Sequence, residues 1–139
     1  MQLYKSIIDI TIHISALLAV CTDERRKPRL IEITAGCSLI APSSVHWEIG
    51  NALSTMLKRD RVDLAQAQAC VAAYREVPLR LLDVDLVQAL AIATRFRMYA
   101  YDAYLLTCAM QSRSPLLSLD GALNKVAGEL GILVLGESP

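Results

Sequence analysis

Short apolar runs alternate with helical stretches along nearly the whole chain, and this alternation constrains the fold more than any other feature. Residues 3–8, 38–41, 79–84, 115–119 and 132–135 read as strands. Residues 11–21, 29–35, 44–61, 63–77, 85–97, 99–113 and 121–130 read as helices. Punctuation agrees with this division. Gly36 is a C-terminal stop, Pro42 ends a strand, and Ser43 and Ser44 offer caps to the helix that follows. Asp63 with Gln66, and Asp85 with Gln88, have the spacing of a capping box. The strands are almost wholly apolar, as in a sheet covered on both faces, and strand–helix alternation favours parallel pairing. The expectation is an α/β fold: one domain over residues 1–139, a three-layer α/β/α sandwich around a central, mostly parallel sheet. In such folds ligands bind beyond the C-terminal ends of the strands.

Composition adds two limits. Hydrophobic residues make up 54% of the chain and mean hydropathy is +0.38. One small core hides little more than its own share, so the surplus calls for a partner or a second copy. Fourteen Lys and Arg balance fourteen Asp and Glu. No global field draws nucleic acid, and an RNA contact has to come from local clusters such as Arg25-Arg26-Lys27-Pro28-Arg29 or Lys58-Arg59-Asp60-Arg61. By default these are solvated charge. Cys21, Cys37, Cys70 and Cys108 form no C-x-x-C pair and read as small core residues in a reducing cytoplasm. No stretch reads as a signal peptide. The longest apolar run, residues 7–20, carries Asp9 and His13 and is too short to span a bilayer, so no membrane association is expected.

Acids recur where strands give way to helices. Asp9 follows the first apolar run, Glu48 lies one turn into the helix after Pro42, and Asp120 closes Leu116-Leu117-Ser118-Leu119. Asp102 opens an otherwise apolar helix. Four carboxylates converging on one edge repel one another, and a divalent cation relieves that repulsion. Oxygen ligands suit Mg²⁺ or Mn²⁺, which serve phosphodiester hydrolysis by acidifying a bound water. Taken singly, Asp102 and Asp120 are equally read as favourable charges at helix N-termini, Asp9 as a turn residue and Glu48 as a solvated helix position.

The local sequences go further. Asp9-Ile10-Thr11 resembles the D-x-[ST] opening of PIN domains. Ala41-Pro42, followed by Glu48-Ile49-Gly50-Asn51-Ala52-Leu53, resembles their A-P…E-x-x-N-A-L segment. Tyr101-Asp102-Ala103 resembles the Y-D-A block, and Ser118-Leu119-Asp120 the [ST]-x-D block. The blocks run in the family's order over nearly the whole chain, and the likeness is closest to VapC-type toxins. The resemblance implies a metal-dependent endoribonuclease, the toxin of a toxin–antitoxin pair. It also implies an RNA substrate, a cognate antitoxin and a homodimer. Carried over by position, the catalytic acids are Asp9, Glu48, Asp102 and Asp120. Asp9, Asp102 and Asp120 would hold Mg²⁺ or Mn²⁺, with Thr11, Asn51 and Ser118 in support.

A second register competes. The stretch from Asp9 to Glu24 is about one helical turn longer than the family pattern. His13-Ile14-Ser15-Ala16-Leu17-Leu18 also fits D-x-S-x-L-L, with His13 in place of the first acid. A strand running on to His13 would put Asp9 inside a sheet buried on both faces, where an unpaired charge costs several kcal/mol. A strand ending at Asp9 avoids that and leaves Thr11 to cap the helix, so the first register is preferred. Under the second, the site lacks an acid and the chain is a catalytically impaired PIN-like module that binds RNA or protein. A phosphatase of the D-x-D type is disfavoured, because Thr11 stands where its second acid is needed. Trp47, Tyr99 and Tyr101 are candidates for stacking on unpaired bases, and His46 for a helix-start polar residue.

Overall fold

The computed structural model of the chain describes residues 7–22 and 24–136. Among them, five strands form one sheet: β1 (Asp9–Ile12), β2 (Ser38–Pro42), β3 (Leu79–Leu82), β4 (Leu116–Leu117) and β5 (Val134–Leu135). Their order is β3-β2-β1-β4-β5, and every neighbouring pair is parallel. Parallel neighbours need long crossovers. These are supplied by α1 (Ile14–Cys21), α2 (Lys27–Thr34), α3 (Val45–Lys58), α4 (Leu64–Glu76), α5 (Leu86–Phe96), α6 (Ala100–Ser112) and α7 (Gly121–Glu129).

The two-residue period of β1 sorts its side chains between two helical layers. Ile10 and Ile12 join a core made with α1 to α4. Thr11 faces the other way, where its hydroxyl meets Ser114 Oγ at 2.6 Å and lies within hydrogen-bonding reach of the Cys108 thiol on α6. A second core, built on α5, α6, α7 and Leu116, fills that side. The sandwich is therefore three-layered as expected, with an all-parallel sheet. Caps mark the helix starts. Asp63 and Gln66 close a reciprocal capping box on α4, and Asp85 accepts the Val87 and Gln88 N–H groups at the start of α5. Burial lifts the thiols of Cys21 and Cys108 to about 11. No helix among the described residues is long and apolar enough to cross a membrane.

Two boundaries differ from expectation in ways that matter. Residues 3–8 were expected as the first strand; residues 3–6 lie outside the described residues, and Ile7 and Ile8 are not strand. The strand begins where it was expected to end, at Asp9. The physical objection to that arrangement does not apply here. Asp9 sits at the N-terminal edge of the sheet with its side chain 35% exposed, and Arg80 of β3 donates to its Oδ2 at 3.1 Å. Nor does Ser44 cap α3 through its side chain; its hydroxyl turns to Glu48 instead.

Candidate functional site

The chain winds from β1 outward to β3 on one side and from β4 to β5 on the other, so the topology reverses between β1 and β4. The C-terminal ends of those two strands flank the crevice where open α/β sheets bind ligands. His13 follows β1 immediately and Ser118 follows β4. The backbone ties them together, the His13 N–H donating to the Leu117 carbonyl at 2.9 Å.

His13 caps α1 and is 7% exposed. Its orientation follows from three hydrogen bonds. The Leu119 N–H donates to Ser15 Oγ at 2.9 Å, and that oxygen lies 2.7 Å from His13 Nδ1. The Ser15 backbone N–H donates to Nδ1, at 3.2 Å. A nitrogen that accepts a backbone N–H carries no proton of its own, which places the ring proton on Nε2. Nε2 stands 3.6 Å from Asp102 Oδ1, close enough for electrostatic attraction but beyond a hydrogen bond.

The acids gather around this histidine. Asp102 lies in the first turn of α6 and Glu48 in the first turn of α3, each a helix N-terminus favourable to a carboxylate. Burial pushes the Glu48 carboxyl above its ordinary range. The Ser44 hydroxyl, which donates to Oε2 at 3.1 Å, pulls it back, while Asp102 pushes it up again. Asp120 follows β4 and caps α7, its Oδ1 accepting the Leu123 N–H at 3.1 Å. Ser118 Oγ accepts the Asp120 N–H at 3.0 Å, so Ser118 shapes the turn that presents this acid.

The structure thus brings Glu48, Asp102 and His13 together and sets Asp120 and Ser118 on the adjoining turn. It does not bring Asp9, which lies at the opposite end of β1, roughly 13 Å from His13 at a rise of about 3.3 Å per residue. Position 13, not position 9, occupies the strand end, as in the second register. Thr11 is buried in mid-strand and bonded to Ser114, so it neither caps α1 nor neighbours the acids. Asn51 is exposed on α3 and its side chain makes no hydrogen bond to Glu48; Ser44 fills that role. His46 packs on Trp47 and Tyr74. Sequence reasoning missed Asn124 and the parts played by Ser44 and Ser15. The two serines are ordinary until the fold closes, although Ser15 is the serine of the second register. Asn124 is buried, donates to the Ser118 carbonyl at 3.0 Å, and leaves its Oδ1 without a partner.

The donor set can be tested against the Mg²⁺ or Mn²⁺ that the resemblance implies. Glu48, Asp102 and Asp120 are the right kind of ligand. Among the described residues, however, no three His, Cys, Asp or Glu side chains are placed to close on one ion. The first carboxylate is replaced by an imidazole that presents a proton. The residues therefore do not fit the four-carboxylate set.

No protein-family profile and no curated protein matches the sequence. Solved structures do match the fold. PAE2754 from Pyrobaculum aerophilum superposes with a TM-score of 0.67 at 21% identity, over 87% of each chain. VapBC2 from Rickettsia felis, solved bound to a DNA fragment from its promoter, gives 0.63 at 10% identity over 91% of this chain and 97% of that one. VapC20 of Mycobacterium tuberculosis, a toxin that cleaves the sarcin–ricin loop, gives 0.60 at 13% over 84% and 93%. The chain has the PIN fold of VapC-type toxins. In this PIN fold His13, Glu48, Asp102 and Asp120 share the edge at the C-terminal ends of β1 and β4.

Proposed function

We propose that the chain is a toxin-type endoribonuclease that acts on RNA at this edge. The observation that supports it best is the meeting of Glu48 and Asp102 with buried His13 at the C-terminal end of a VapC-like sheet, beside Asp120. Each residue has a chemical part to play. Glu48, raised by burial, is suited to exchange a proton with the attacking hydroxyl or water. Asp102 and Asp120 are the remaining carboxylates that would draw a cation toward the scissile phosphate. Lys58, Arg59 and Arg61, exposed at the far end of α3 and without ion pairs among the described residues, offer a track for the RNA backbone. The other basic cluster is partly self-neutralised by Glu24 and Glu32. Trp47 and Tyr99, 72% and 91% exposed, are free to stack on bases.

Two partners follow as proposals. VapBC2 is a complex, and a cognate antitoxin with an apolar segment would cover part of the exposed hydrophobic surface here. Leu86, Val87 and Leu90 present one exposed apolar face of α5, suited to a second copy of the chain.

The test is cleavage of pooled single-stranded RNA by antitoxin-free protein, with Mg²⁺ or Mn²⁺ against EDTA, beside Asp102→Asn. Cation-dependent cleavage that the variant loses supports the nuclease. A second reading has its own observation: His13 stands where the first acid belongs, which favours a PIN-like module that binds RNA or protein without cutting. RNA binding without cleavage in either cation would select it.

A further inference from the structure

We propose that the Leu119–Ser15–His13 relay converts the position at the end of β1 from a cation ligand into a fixed proton donor, and so sets how weakly this edge holds Mg²⁺ or Mn²⁺. The inference rests on the acid edge being the functional site.

An imidazole binds a metal only through a nitrogen that carries no proton. In His13 that nitrogen is Nδ1, and it is occupied from two sides, by the Ser15 hydroxyl at 2.7 Å and the Ser15 N–H at 3.2 Å. Freeing Nε2 requires moving the ring proton to Nδ1, where it would point at a backbone N–H that cannot turn away, because that N–H belongs to the first turn of α1. The shift would also uncap the helix. The Ser15 hydroxyl is itself held in place by the Leu119 N–H at 2.9 Å. The buried ring therefore keeps its Nε2–H turned to Asp102, 3.6 Å away, where a carboxylate would have added a negative charge and two oxygens. Hard cations prefer oxygen in any case. His13 thus fills the place of a carboxylate ligand without being a ligand itself.

The experiment reads Mn²⁺ binding directly, from the electron paramagnetic resonance signal of the free ion, with the whole chain. His13→Ala and the cap-competent His13→Ser are expected to bind Mn²⁺ as the unmodified chain does. His13→Asp is expected to bind it at least about tenfold more tightly, the scale on which such positions act in metal sites. Asp102→Asn added to His13→Asp is expected to remove that gain. Circular dichroism and melting confirm that each variant is folded. A loss of tenfold or more in His13→Ser would make His13 a ligand and overturn the lock. So would an unchanged affinity in folded His13→Asp when Asp102→Asn still weakens binding. A gain that survives Asp102→Asn would instead place the ion away from the acid edge, overturning that reading and the lock with it.

Discussion

Replacing Asp9 by Asn separates the two registers more sharply than any other single change. Asp9 is the acid that the motif points to, yet it sits at the wrong end of β1 and pairs with Arg80 at 3.1 Å. The ion-pair side chains are 57% and 35% exposed, so solvent screens them and the pair is worth about 0.2–1 kcal/mol. That corresponds to a drop in melting temperature of no more than about 4 °C for a chain of this size. The effect on the site is smaller. A unit charge roughly 13 Å away in water contributes about 0.3 kcal/mol, and screening over a Debye length of about 8 Å takes this below about 0.1 kcal/mol. Asp9→Asn is therefore expected to change the cleavage rate by under about 20%, while Asp102→Asn lowers it by about 100-fold or more. The assay is single-turnover cleavage of a labelled RNA, with melting curves on the same preparations. If Asp9→Asn lost activity as steeply as Asp102→Asn while its melting temperature held, position 9 would belong to the site and the geometric argument would be refuted.

Other consequences can be measured alongside. Because burial raises the Glu48 carboxyl, its charged form destabilises the fold at pH values above its raised pKa, and that penalty disappears as pH falls below the ordinary 4.5. Glu48→Gln should therefore melt higher than the unmodified chain at pH 7–8, with the difference closing by about pH 4. Asp63→Ala breaks the capping box of α4 and should cost about 0.5–2 kcal/mol in urea unfolding, with cleavage unchanged. Val87, 79% exposed on α5, is a test of self-association: Val87→Arg should leave the fold intact and shift the mass seen by light scattering from dimer to monomer. A monomeric mass for the unmodified chain would remove that proposal.

The layers were legible because periodicity carries them. Largely apolar strands, helices of eight to fourteen residues and the capping acids Asp63, Asp85 and Asp120 each state their place locally. The acids on α3 and α6 were legible for the same reason, since a carboxylate in a helix's first turn is placed by the helix itself. The start of β1 was not. Nothing local says whether an apolar run flanked by Asp9 and His13 ends at the first or the second, and the deciding partner, Arg80, lies 71 residues away. A buried, unpaired Asp9 would be penalised, but Asp9 is part-exposed and paired with Arg80. Thr11 illustrates the same limit: its hydroxyl partner is 103 residues distant. Ser15 gains meaning only through Leu119, another contact that no window of sequence displays.

That last contact has a temporal consequence. β1 lies in the middle of the sheet, between β2 and β4, and the amide that orients Ser15 and His13 comes 104 residues after Ser15. A growing chain that has already made His13, Glu48 and Asp102 still lacks β4, the neighbour that completes the crevice. Long-range pairing of this kind closes slowly and late. A nascent or truncated product ending before Leu119 would carry most of the chemistry without its geometry. For a protein proposed to cut RNA, biosynthesis beside the ribosome would then be protected until nearly the last residues are in place.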